Sequence, residues 1–68
     1  MAKAGDVIQV NENGGLWCGC LMIVEEEKTW GVLAGMKIPN HGTAYLRLRD
    51  DQYEYIGKAV LTQVKEED

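Results

Sequence analysis

Turn-forming residues interrupt this chain at short intervals: eight glycines and one proline fall within 68 residues. Short apolar segments run between them, which is the rhythm of a small β protein. The length allows one domain, near the lower limit at which a single core can hold a fold. It excludes a (β/α)8 barrel and a dinucleotide-binding domain. An apolar content of 46% is too high for a disordered acidic chain. The net charge of −4 argues against a general DNA- or RNA-binding protein, which usually presents a basic face.

The apolar segments read as strands. A first runs from Val7 to Val10, after Gly5-Asp6. Asn11-Glu12-Asn13-Gly14-Gly15 then supplies a turn. The second strand is expected from Leu16 to Glu25, with Leu16, Cys18, Cys20, Met22 and Val24 on one face. Trp17, Leu21 and Ile23 fall on the other, and Gly19 is a candidate kink. Glu25-Glu26-Glu27-Lys28 reads as a solvated hairpin tip; a helix over Leu21 to Lys28 is the alternative, because glutamate favours helices. The third strand covers Thr29 to Leu33 and continues past Gly35 to Ile38, alternating Trp30, Val32, Ala34, Met36 and Ile38. Pro39-Asn40-His41-Gly42 is a turn. The fourth strand, Thr43 to Arg49, sets Ala44, Leu46 and Leu48 against Tyr45, Arg47 and Arg49, one buried face and one wet face. Asp50-Asp51 turns into a fifth strand, Tyr53 to Ile56, and Ala59 to Val64 forms a sixth or a continuation.

The expected fold is therefore all-β: a small five- to six-stranded antiparallel SH3-like barrel over residues 1–64, with an acidic tail over 65–68. Closure would remove two raw sheet edges. An OB-fold would need a helix between strands three and four, where Pro39-Asn40-His41-Gly42 leaves no room. No apolar run resembles a signal peptide or approaches the ~20 residues of a membrane span, so a cytoplasmic protein is expected. Cys18 and Cys20 would share a strand face roughly 6.5–7 Å apart, too far for a relaxed disulfide. Both are read as reduced thiols.

The order Gly5-Asp6-Val7-Ile8, Leu16-Trp17-Cys18-Gly19, Gly42-Thr43-Ala44-Tyr45-Leu46-Arg47-Leu48 and Tyr55-Ile56-Gly57 resembles small uncharacterised proteins of phages and prophages in Gram-positive bacteria. The resemblance spans most of the chain and carries no catalytic or binding motif. It implies a context in which short proteins bind and block host machinery, including host defence systems, or sequester a host signalling molecule.

Few residues offer chemistry. Cys18, Cys20 and His41 are the only soft metal ligands, one short of a closed zinc site, so no metal or other cofactor is expected. Gly14-Gly15 lacks the lysine and the strand-to-helix setting of a phosphate loop. Asp50-Asp51 reads as a turn, not an acid–base pair, and an enzyme is not expected. The segment from Thr43 to Ile56 is the most informative, read as a hairpin. With a three-residue turn, Arg47 faces Tyr55 and Arg49 faces Tyr53, giving a Tyr45, Arg47, Arg49, Tyr53 and Tyr55 surface that could stack a base and hold a phosphate. With a two-residue turn, Arg47 faces Glu54 instead, and the tyrosines join Leu46 and Leu48 in the core. Trp17, Leu21, Ile23 and Trp30 are candidates for a protein interface, with one tryptophan expected in the core. The leading functional expectation is a non-enzymatic module that binds a protein partner and itself. The alternatives are binding of a nucleotide or single-stranded nucleic acid by the Tyr/Arg face, and phage-type inhibition of a host defence system.

Overall fold

The structure is a computed structural model that describes residues 2–59. Five antiparallel strands form one sheet: β1 (Asp6–Val10), β2 (Leu21–Lys28), β3 (Gly31–Ile38), β4 (Gly42–Arg49) and β5 (Tyr53–Lys58). Their order is β4-β3-β2-β1-β5. The all-β class matches the expectation; among the described residues the sheet is not closed into a barrel. β4 and β5 are the two edges of an open sheet, so the expected Thr43–Ile56 hairpin is absent and neither of its registers occurs. Instead a 3-10 turn, Asp50–Gln52, carries the chain from one edge to the other. The expected sixth strand and acidic tail lie outside the described residues, apart from Ala59. Among the described residues no helix is long and apolar enough to cross a membrane.

The core follows from side-chain alternation. Ile8 and Val10 on β1, Met22 and Val24 on β2, Val32 and Ala34 on β3, Leu48 on β4 and Tyr53 on β5 are all buried. Cross-strand register puts them on one face: Ile8 pairs with Met22, Val24 with Ala34, Val32 with Leu48, and Val10 with Tyr53. A residue and its directly opposed partner point to the same side of a sheet, so each strand contributes to a single apolar layer. Leu48 and Tyr53 come from opposite edges yet belong to the same buried cluster.

Three expectations need correction. The second strand starts at Leu21, not Leu16. Glu12–Trp17 winds as 3-10 turns, with the Asn11 side chain accepting from the Asn13 N–H. Gly15 and Gly19 adopt positive φ, which breaks the extended run that the alternation of Leu16, Cys18 and Cys20 imitates. The glutamates are not a hairpin tip. They lie on β2 itself, which runs on to Lys28 through an irregularity between Val24 and Glu26, and Thr29-Trp30 makes the turn. Neither tryptophan is core: Trp17 is 36% exposed and Trp30 43%. Tyr53 takes the aromatic place in the core instead.

Candidate functional site

The outer face of the sheet is assembled by the same alternation. On β4, Tyr45, Arg47 and Arg49 point away from the core, as expected. On β3 their partners are Gly35, Leu33 and Gly31. On β2, Glu26 pairs with Leu33 and Lys28 with Gly31. Two rows result: Glu26-Leu33-Arg47 and Lys28-Gly31-Arg49.

Beyond the second row lies Trp30, on the tight turn between β2 and β3. Lys28, Trp30, Leu33, Arg47, Arg49 and Gln52 line an open depression of about 900 Å3. Three of its six lining residues are cationic and none is acidic. Lys28 Nζ lies 2.7 Å from Glu26 Oε1, on the rim. The hydrogen bond and charge of Lys28 hold the Glu26 carboxyl below its usual range. Both side chains are solvated, and such a pair contributes little stability. Among the described residues, no carboxylate lies within 4.0 Å of either arginine.

The far rim is fixed by a polar network. Gln52 Nε2 donates to the Asn13 carbonyl at 3.1 Å, and Gln52 Oε1 accepts from the Arg49 N–H at 2.8 Å. The Asn11 and Asn13 amides both donate to the Asp51 carbonyl, at 3.0 and 2.9 Å. The Asn11 N–H donates to the Gln52 carbonyl at 3.0 Å. The loop after β1 thus clamps the 3-10 turn that ends β4. Beside it, the buried Tyr53 hydroxyl donates to Asp50 Oδ1 at 2.8 Å. Burial first, and the bond to Asp50 second, push the Tyr53 phenol up to about 12.

A second half of the outer face is apolar. Leu21, Ile23 and Tyr45 are 56%, 41% and 59% exposed. Ile23, Gly35 and Tyr45 are neighbours across β2, β3 and β4. The Tyr45 ring crosses toward β2 over Gly35: a Cβ built there would lie 3.2 Å from Tyr45 Cε1 and 3.3 Å from Glu25 Oε2.

The structure redistributes the expected sites. The Tyr45, Arg47, Arg49, Tyr53 and Tyr55 surface is not assembled. Tyr53 is buried, and Tyr55 sits on the opposite edge strand, beside Ile8 of β1. The four interface candidates also separate. Trp17, Leu21 and Ile23 belong to one end of β2, whereas Trp30 follows its other end. That eight-residue strand is about 23 Å long at ~3.3 Å per residue. Trp30 joins Arg47 and Arg49 instead, an association that sequence spacing did not suggest. Among the metal candidates, Cys18 is exposed, Cys20 is half-buried against the core, and His41 lies in the β3–β4 turn. Among the described residues, no three His, Cys, Asp or Glu side chains come together as a ligand set.

No protein-family model matches this chain, and no curated protein or solved structure does.

Proposed function

We propose that this protein is a non-enzymatic interaction module that pairs with a second copy of itself through the apolar half of the outer sheet face. The observation that supports this reading is the exposed row of Leu21, Ile23 and Tyr45 on an otherwise well-formed sheet. The core cluster does not include these side chains, and exposed apolar residues gathered on one sheet face mark an interaction surface.

A second copy is the favoured occupant because the patch carries one charge of each sign. Glu25 reaches the centre of the row from β2. Lys37 stands one alternation beyond Gly35 on β3, paired with Thr43. Two copies related by a two-fold axis would set each lysine against the partner's carboxylate, as an isologous contact requires. Trp17, four residues before β2, is also exposed.

Sedimentation equilibrium tests the reading. The expected result is a concentration-dependent dimer that Ile23→Glu converts to monomer while the far-UV circular dichroism is kept. A strict monomer at millimolar concentration overturns it.

A further inference from the structure

We infer that the depression between β2, β3 and β4 is a binding site for single-stranded nucleic acid, with a base stacked on Trp30 and the adjoining phosphates held by Arg47 and Arg49. This site adjoins the self-association surface on the same sheet face but shares none of its residues, and neither proposal depends on the other.

The argument starts from charge. The chain carries 11 acidic and 7 basic residues. Arg47 and Arg49 have no carboxylate within 4.0 Å among the described residues, whereas Lys28, the third cation at the depression, is paired with Glu26. A concave site lined by one sign of charge concentrates the opposite charge, even on a protein of unfavourable net charge. The guanidinium fork suits the paired oxygens of a phosphate.

The aromatic group is the second element. Trp30 is 43% exposed on a two-residue turn, and the Lys28-to-Gly31 rung closes that turn. The turn is anchored in place because Gly31 packs directly against the β4 backbone at Leu48 and Arg49. The backbone that carries the indole is thus fixed, which lowers the ordering cost of stacking a base on it. Leu33 supplies an apolar patch between it and Arg47. Base stacking on an aromatic ring beside cations that track the backbone is how sequence-tolerant single-strand binders work. The depression is open rather than enclosed, so a strand can run through it and need not end in it. The tethered Gln52 closes one side and leaves its rim rigid.

A free nucleotide shares the same chemistry, and the experiment separates the two sources. In a Trp17→Phe protein, fluorescence reports Trp30 alone. Titration at low salt with oligothymidylate, a nucleoside monophosphate and an acidic peptide gives three arms. The expected result is quenching and saturable binding by the oligomer, at least tenfold tighter than by the monophosphate. Log affinity should fall with log salt at a slope of about −1.4 for two phosphate contacts. Arg47→Ala and Arg49→Ala should each weaken binding several-fold and flatten that slope, while Lys58→Ala on β5 leaves both unchanged. Both arginines are exposed, and circular dichroism confirms that the variants fold. Equal affinity for the monophosphate and the oligomer overturns the single-strand assignment in favour of a nucleotide. Tighter binding of the acidic peptide, or oligomer binding indifferent to both arginine substitutions, overturns the site.

Discussion

Gly31→Ala is the substitution whose cost the structure sets most directly. Gly31 opens β3 and is paired on both sides, with Lys28 of β2 and Arg49 of β4. Its φ is +153°, a conformation that residues with a Cβ rarely adopt. A Cβ placed there would lie 2.0 Å from the Leu48 carbonyl oxygen, 2.8 Å from Arg49 Cα and 2.9 Å from the Leu48 carbonyl carbon. All three are backbone atoms in a paired strand, so no side-chain rotation relieves the clash. The backbone conformation costs about 1–3 kcal/mol. Overpacking against a fixed neighbour adds about 1–3 kcal/mol. The total is at least about 2 kcal/mol, and in a domain of this size each kcal/mol lowers Tm by roughly 4–8 °C. Thermal unfolding followed by circular dichroism should therefore show a fall of at least about 8 °C. Gly57→Ala is the control, because nothing lies within 4 Å of a Cβ built there, and it should stay within about 0.5 kcal/mol of the parent. A Gly31→Ala protein melting within about 3 °C of the parent would refute the reasoning, since that corresponds to well under 1 kcal/mol.

Tyr53→Phe removes the bond to Asp50 and should cost about 1 kcal/mol in urea unfolding. The same phenol makes stability pH-dependent. Unfolded tyrosine ionises near 10 and the folded one only at about 12, so its contribution is full below pH 10 and is lost as pH rises to about 12. Tm measured across that window should fall more steeply for the parent than for the Phe variant; parallel curves would exclude Tyr53 as the cause. Asn11→Ala removes the cap on the 3-10 segment and one strut to Asp51, and should cost about 1 kcal/mol by chemical denaturation. An unchanged midpoint would mean that the loop clamp contributes nothing.

The parts of the fold that sequence reveals are those in which one residue's environment repeats two residues later. β4 is the clearest case: Ala44, Leu46 and Leu48 face inward and Tyr45, Arg47 and Arg49 outward, as the alternation requires. The same rule misleads at Leu16, Cys18 and Cys20. Their period-two spacing continues into Met22 and Val24, yet positive-φ glycines turn the chain just before Leu16, at Gly15, and again between Cys18 and Cys20, at Gly19. Alternation also says nothing about which strands become neighbours. The expected hairpin after Arg49 fails because Asn11 and Asn13, about 40 residues away in sequence, fix the Asp50–Gln52 turn from outside. The candidate nucleic-acid site depends on the rung joining Gly31 to Arg49, a long-range register that no local pattern encodes. Trp30 therefore reads from sequence as an isolated interface residue and not as the neighbour of two arginines.

The strand order also carries a consequence for how the molecule acquires its structure. β2, β3 and β4 are joined by tight turns and pair only with sequence neighbours, so this meander can zip locally and fast. β1 is different: it is bracketed by β2 and by β5, whose Tyr53 partners Val10 at a sequence separation of 43. Closing that long loop brings its entropy cost before its contacts form. During synthesis from the N-terminus, β1 emerges before its two neighbours yet keeps an open edge until β5 is available. Joining β5 to β1 is thus the expected late event, and unfolding under force applied at the ends of the sheet should begin by peeling β5 away.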